Sequence, residues 1–570
     1  MEVRAERPVE VPVETTPKAR AGSNSSNETR RLQKEQGHRA NSPINPNGAD
    51  LIRHGVSYSP MPAFHFSRGK KWLILFVLFW VQISMNFNAS VYPNAASGIS
   101  AEFNISHEKV MLGQMIFLLS YAFGCELWAP WSEEFGRKKV LLLSMMLVNI
   151  WAIMCSCAKN IATILVGRFL GGLCSAGGSV TLGVVADMWD VKNHGYAVLF
   201  VVFASVLGSV VGPVAGGYLE EHCSWRANFY AQAAFGVVVQ ALHQILVPET
   251  EQRQCVKAEI RKAKKLGVVP PAEPEHEKMT FNRVCTIWAR PFKMFFTEAI
   301  VLCLSLLSGF SDALIFTFLE SFKPVFSQWG FGPIGVGLAF LPIGVGYLIG
   351  YLSFFYPIRR YMFKMDRHPQ SARPEDRLWW LLYLAPLLVV GLFGFAWTSG
   401  GPDEFHWIVP MFFGCLVGIA NFGIYMATID YMVAAYGPYA ASATGGNGFA
   451  RDFLAGISAL YAGPLYRDLG PRRRLQKAST LLGGLSIAFV IPVYIFYWLG
   501  PEIRARSKFS QKITRKMERE AQEEQRLRQT MSRGGGPSEA SSSESVREPK
   551  VEEAARVMQV QAPSPSHSPK

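Results

Sequence analysis

The chain has 570 residues, with 57 Lys and Arg against 43 Asp and Glu, a formal net charge of +14 and a mean hydropathy of only +0.14. Charged residues make up 18% and the apolar set 49%, but the two are segregated: residues 1–70 and 501–570 are polar, and most of the chain between them is apolar. Apolar runs of about 18 or more residues recur through that middle part, which excludes a chain disordered throughout, a small disulfide scaffold and a single water-soluble domain.

In chain order, residues 1–70 are rich in Pro, Ser, Asn, Arg and Glu without a helical period. They are expected to be a disordered cytosolic tail, without the apolar core of a cleavable signal peptide. Spanning helices are expected at 72–92, 111–130, 140–158, 162–186, 196–219 and 227–247. A polar stretch, 248–296, follows, and further runs lie at 297–319, 333–356, 378–398, 407–429, 443–463 and 478–499. Each can cross about 30 Å of hydrocarbon. The pattern predicts an all-α membrane protein with twelve transmembrane helices. They would form a first six-helix half (71–247), a cytosolic central loop (248–296) and a second half (297–500), before a low-complexity cytosolic tail (501–570).

Lys and Arg orient the runs. The loops at 131–139, 187–195, 248–296 and 357–377 carry many of them, and 430–442, placed on the same side by alternation, carries none; those at 93–110, 220–225, 320–332 and 399–406 hold only Lys109 and Lys323. The N-terminus is therefore expected inside, and the basic excess reads as a topology signal with no nucleic-acid partner. One outside loop disobeys: 464–477 contains Arg467, Arg472, Arg473, Arg474 and Lys477. Of the glycosylation sequons at Asn24, Asn27, Asn88 and Asn104, only Asn104 falls in an outside loop away from a spanning run. The nine cysteines have no metal-ligand spacing with a His and read as small buried residues, so neither metal nor cofactor is expected.

Ionisable residues inside a bilayer are costly and mark functional candidates. Here they are Glu126, Arg168, Asp187, His243, Asp312, Glu320, Asp430 and Arg451; Asp187, Glu320 and Asp430 are near run ends and can equally be interfacial. Two local patterns add to these. After the second run comes Trp128-Ala-Pro-Trp-Ser-Glu-Glu-Phe-Gly-Arg-Lys-Lys139, where Gly136 allows a tight turn and Glu133 and Arg137 offer opposite charges four residues apart. The fifth run contains Gly208, Gly212, Pro213, Gly216 and Gly217, which bring helices close and permit a bend.

Together these segments resemble the fungal twelve-spanner drug:proton antiporters of the major facilitator superfamily, over about residues 72–500. Gly208 to Gly217 matches that family's antiporter motif at every fixed position. Glu133, Gly136, Arg137 and Lys138 match its loop-two motif, although Ala129 and Trp131 stand where Gly and Leu are common. Arg168 with Gly172, Trp225-Arg226, Pro248-Glu249-Thr250, Ala440 to Ala443, Asn447 and Arg451 are similar to this group as well.

The resemblance implies that Glu133 faces the start of the eleventh helix near Ser442, and that Arg137 pairs with Asp187 to lock one state. It implies Arg168 beside a proton pathway and a substrate cavity near the midplane between the halves. Candidate lining residues are Phe87, Tyr121, Phe203, Phe316, Tyr347, Phe422, Asn447 and Arg451, with Phe117 also available. The first run has only Gln82, Asn86 and Asn88 where some bacterial relatives carry an acid, so Asp312 is the leading proton-binding candidate, with Glu320 and Glu126 behind it. The expected activity is proton-coupled export, by alternating access, of a cationic or amphipathic drug, polyamine or secreted metabolite; the expected site is the plasma membrane, with a vacuolar or vesicular membrane as the alternative. Its partners would be substrate, protons and lipid, and the chain would act as a monomer. A nutrient facilitator or proton symporter on the same fold is the alternative. An enzyme is not expected, because His107, His194, His222, His243 and His406 are scattered, and no nucleotide-binding Gly-rich run occurs.

Overall fold

A computed structural model describes residues 62–189, 191–265, 281–368, 373–469, 473–507, 509 and 511. Most of both tails, including Asn24, Asn27 and the Ser- and Pro-rich C-terminus, lies outside the described residues. Contacts group Ser59–Lys257 with Pro274–Lys570 as one large unit. The architecture below is that of the large unit.

The described residues form helices and turns, with no strand among them. The first group is α1 (Arg68–Ser90), α2 (Tyr92–Phe103), α3 (His107–Phe135), α4 (Arg137–Ser156), α5 (Ile161–Ser175), α6 (Val180–Met188), α7 (Val191–His222) and α8 (Arg226–Leu246). Two helices follow in the polar stretch, α9 (Gln252–Lys265) and α10 (Phe281–Thr297). The second group is α11 (Ala299–Phe326), α12 (Pro333–Leu338), α13 (Leu341–Ser353), α14 (Phe355–Arg367), α15 (Leu381–Thr398), α16 (Ile408–Tyr436), α17 (Ala440–Asp468) and α18 (Arg474–Arg506). Local chemistry sets several boundaries. Ser106 accepts from the Lys109 amide and Asn160 from the Thr163 amide, so α3 and α5 begin with side-chain caps. Asn104 closes α2 in the left-handed region at φ 50°.

The loops read at 93–110 and 357–377 contain most of α2 and α14, the run at 333–356 is broken between α12 and α13, and three further features differ from the pattern read in the sequence. The stretch 248–296 contains α9 and α10, because its charges alternate with apolar residues at helical spacing. The fourth run is broken into α5 and α6 by a 3₁₀ turn at Ala176–Ser179, where Gly177 and Gly178 weaken the α-helix. Apolarity alone finds eleven membrane-crossing candidates among the described residues rather than twelve. The difference is α17, whose 29 residues are diluted by glycines, Asn447, Arg451 and Asp452.

Packing explains why such a polar helix is tolerated. In the first group α1 lies on α7, α3 on α5, and α4 on α5 and α8. In the second, α11 lies on α17, α16 on α13 and α15, and α15 on α18. The groups meet along two seams, α3 against α17 and α7 against α12 and α13. The buried face of α17 thus meets protein on two sides, where its polar groups find partners instead of lipid.

The glycines of α7 set the spacing at two contacts. Gly208, Gly212 and Gly216 share the face toward α1 and α2: a Cβ would stand 2.6 Å from Asn86 Cβ, 2.7 Å from Ser90 Cβ and 2.6 Å from Asn94 Cγ respectively. Ser90 Oγ donates to the Gly208 carbonyl across this contact at 3.0 Å. Gly217 faces α12 instead, and its Cβ would stand 2.6 Å from the Pro333 carbonyl oxygen. Pro213 lies inside α7 without ending it. Gly212→Val is expected to cost about 1–3 kcal/mol by overpacking and to lower the thermal unfolding midpoint of the purified protein. Gly484→Ala, where a Cβ meets nothing within 4 Å, should leave that midpoint unchanged or slightly raised.

Candidate functional site

Arg451 is 9% exposed within α17, and its guanidinium organises the centre of the molecule. Its Nη2 lies 3.3 Å from Asp452 Oδ1 and its Nε lies 3.9 Å from Asp312 Oδ2 on α11. The guanidinium carbon also sits 4.3 Å from the Tyr425 ring centroid on α16. Cys125 on α3 approaches Asp452 Oδ2 at 3.9 Å. Asn86 on α1 donates to Ser205 on α7 at 3.2 Å, and both line the small space around Asp312, Phe316 and Tyr121. Residues from both groups of helices therefore enclose one arginine and two aspartates. A buried pair of this kind persists only when remaining polar atoms are also satisfied.

A cavity of about 430 Å³ extends from this cluster. Tyr121, Glu126, Asn447, Arg451 and Asp452 line its deeper part, and Glu133 and Arg137 line one end. Glu126 is only 6% exposed, and its Oε1 has no hydrogen-bond partner. Asn447 donates to Thr428 Oγ1 at 3.1 Å, leaving its own carbonyl oxygen unpartnered. The cavity is thus faced by three carboxylates, Glu126, Glu133 and Asp452, together with Arg451 and Arg137.

The site candidates read from the sequence divide accordingly. Tyr121, Phe316, Asn447 and Arg451 line these central spaces together with Asp312 and Glu126. Phe87, Phe203, Tyr347 and Phe422 are engaged in packing: Phe87 against Phe235 at 5.8 Å, Phe203 against Tyr351 at 4.8 Å, and Tyr347 and Phe422 fully inside the core. Glu320 lies two turns beyond Asp312 on α11 and faces the opposite end, 3.0 Å from His107 Nε2. Asp452 was missed by the sequence reading; its signal was an adjacent Arg–Asp pair within a spanning run.

Arg168 stands apart from the cluster. At 2% exposure it donates to the carbonyls of Asn88 (2.8 Å) and Gly113 (3.3 Å) and to Gln114 Oε1 (3.1 Å). Its guanidinium is held between the rings of Tyr92 and Phe117, at 4.4 and 3.9 Å. No ion pair joins it to a carboxylate among the described residues. It ties α1, α2, α3 and α5 together through backbone oxygens and π faces.

The loop-two residues form a second network. Gly136 takes φ +102°, which separates α3 from α4 and favours glycine. Arg137 Nε donates to Asp187 Oδ2 at 3.1 Å and its Nη1 to Ser132 Oγ at 2.6 Å, while Glu133 Oε1 is 3.9 Å from Nη2. The Glu249 carboxylate reaches the start of α4, accepting from the Arg137 amide at 2.8 Å and the Lys138 amide at 3.4 Å. A carboxylate at a helix N-terminus satisfies free amides and complements the dipole. The Pro248-Glu249-Thr250 segment is thereby joined to the loop-two segment in one unit. Glu133 is more than half exposed and shares the cavity with Ala440, Ala441 and Thr444 at the start of α17.

The second group contains a counterpart that the sequence reading did not find. Arg377, just before α15, pairs with Asp430 near the end of α16, as Arg137 at the start of α4 pairs with Asp187 near the end of α6. Arg504 at the end of α18 binds Glu375 at 2.8 Å beside it.

Residues 78–460 match the family model described as Major Facilitator Superfamily. The MFS-type transporter acdC of Aspergillus candidus is 30% identical over 456 residues, 79% of this chain and 88% of its own length. Efflux pump FUBT of Fusarium oxysporum is 30% identical over 462 residues, 78% of this chain and 75% of its own. The ascochitine biosynthesis cluster MFS transporter of Didymella fabae is 30% identical over 465 residues, 78% and 86% respectively. The chain belongs to the major facilitator superfamily: it is a multi-pass membrane transporter of small molecules and not an enzyme.

Proposed function

We propose that this transporter is a proton-coupled exporter that carries a small cationic or amphipathic organic compound, such as a drug, a polyamine or a secreted metabolite, out across the plasma membrane. The carrying observation is the imbalance of charge at the centre: Asp312 and Asp452 share the Arg451 guanidinium, and Glu126 lines the adjoining cavity with no ion pair among the described residues. Buried carboxylates in excess of their counter-cations are completed either by a proton or by an organic cation. Two species that neutralise the same site compete for it, and competition for one site is what exchange requires. Export is supported by relatives that are named efflux pumps, and a secreted metabolite by the one named for a biosynthesis cluster.

In this reading Asp312 is the proton acceptor. Protonating it leaves Arg451 paired with Asp452 alone, and deprotonating it returns the guanidinium to a shared position between the two. Residues 71–247 rock against residues 297–500; Arg137 and Asp187 stiffen the cytosolic end of the first half and keep Glu133 toward the start of α17 in the second, which holds that end closed. Gly208 to Gly217 let α7 pivot closely against its neighbours, and Arg168 keeps α1, α3 and α5 moving as one body. The chain acts as a monomer, with both tails on the cytosolic side and Asn104 outside as the glycosylation acceptor.

A comparison of secreted metabolites and toxin resistance in cells with and without the protein identifies the transported compound. In sealed vesicles, collapsing the pH gradient should then stop its uphill movement; accumulation that persists refutes proton coupling. Asp312→Asn should flatten the pH dependence of transport, and an unchanged profile would clear Asp312. Arg168→Ala should abolish transport while the protein still reaches the membrane, and normal coupled efflux in that variant would refute its role.

A further inference from the structure

We propose that the end of the transporter opposite Arg137 is closed by a latch of three ion pairs, and that His107 makes one of them sensitive to the pH on that side. Each pair joins the first group of helices to the second. His107 Nε2 on α3 meets Glu320 Oε2 on α11 at 3.0 Å. Glu220 Oε1 on α7 meets Lys323 Nζ on α11 at 3.0 Å. Glu108 Oε1 on α3 meets Arg467 Nη2 on α17 at 2.6 Å. They surround a cavity of about 420 Å³ whose deep wall includes Pro213, Gly337 and Phe340. There α7 and α12 touch backbone to backbone, since a Cβ on Gly337 would stand 2.5 Å from the Pro213 carbonyl oxygen.

The three pairs differ in weight. Glu108 and Arg467 are both more than half exposed, and such a pair is screened by water. Glu320 and Glu220 have side chains only 9% and 15% exposed, so separating them from His107 and Lys323 leaves a poorly solvated carboxylate behind. Glu220 keeps Ser97 (2.8 Å) and Asn94 (3.3 Å) as hydrogen-bond donors, which holds it in place to receive Lys323. The basic exception in the outside loops now has a use: Arg467 closes this latch, and Arg473 stands 3.8 Å from Glu404.

His107 is the one member that changes charge near neutrality, since an unperturbed imidazole titrates around pH 6.5. The charged groups around it are Glu108 on its own helix, Glu320 and Lys323 on α11, Glu220 on α7, Arg467 on α17 and Arg474 on α18. Below that range the imidazolium attracts Glu320 and the latch has three legs. Above it the neutral ring keeps at most a hydrogen bond, and the latch has two. Acid on this side therefore holds the end closed.

The test uses the full-length protein in membranes with a Leu319→Cys reporter, which lies in the cavity wall, and a membrane-impermeant maleimide. Labelling at position 319 is divided by labelling of native Cys223, which is exposed, so that thiol ionisation cancels. Glu220→Gln and Lys323→Met should each raise the ratio about two- to five-fold, and the swap Glu220→Lys with Lys323→Glu should restore it. Lowering the pH from 8 to 5.5 should lower the ratio in the parent but not in His107→Gln. Equal ratios in the parent and both single variants, labelling absent throughout, or a pH effect that survives His107→Gln would overturn the proposal. The readout is access rather than transport, so it stands or falls separately from proton coupling.

Discussion

Arg451 cannot give up its charge and lies where a bilayer offers it no water, so the protein must supply its solvation. Asp452 and Asp312 supply opposite charge, and the Tyr425 ring supplies a π face. Those groups come from α11, α16 and α17. Satisfying one guanidinium therefore fixes how three helices of the second group meet, and Cys125 brings α3 of the first group to the same point. The cavity borders this polar cluster, with Arg451 and Asp452 in its wall. Its chemistry, more carboxylate than cation, follows from the same packing.

Arg168 obeys the same constraint by a different route. It has no carboxylate partner among the described residues and is solvated by two backbone oxygens, Gln114 and two aromatic rings. Neutral oxygens and rings leave its positive charge without an opposite one beside it. Near the helix ends, partial hydration lowers the cost of charge, and ion pairs there can be numerous and separable. Arg137 with Asp187 and Arg377 with Asp430 are fixed pairs within one group of helices. The His107, Lys323 and Arg467 pairs cross between groups. A tie within a group stiffens a body, whereas a tie across the seam opposes the relative motion of two bodies.

The glycine-rich face of α7 links these levels. Gly208, Gly212 and Gly216 let α1 and α2 approach on one side, and Gly217 lets α12 approach on the other. Dispersion and a Ser90–Gly208 hydrogen bond replace the hydrophobic effect, which does not drive helix association inside lipid. Helices in such contact can slide without exposing polar backbone, because each keeps its own hydrogen bonds.

Length, apolar runs and motif spacing were sufficient to determine a helical multi-pass transporter and its superfamily, since crossing a bilayer imposes a length and a composition that any reader of the chain can count. The polar α17 was found as a run by its pattern even though apolarity alone does not select it. Asp312 and Arg451 were visible because a charge within an apolar run is locally anomalous, and Tyr121 only as one of the aromatics that could line a cavity. Only the tertiary structure decided which anomalies meet. Asp312 met the Arg451–Asp452 pair at the centre, Glu320 was carried two turns away to His107, Phe203 and Phe422 went to packing, and Arg377 found Asp430. These outcomes depend on the rotation of each helix about its own axis and on its depth relative to neighbours. Both are set by the summed fit of glycines, rings and ion pairs across helices far apart in the chain, and no local stretch of sequence contains that sum.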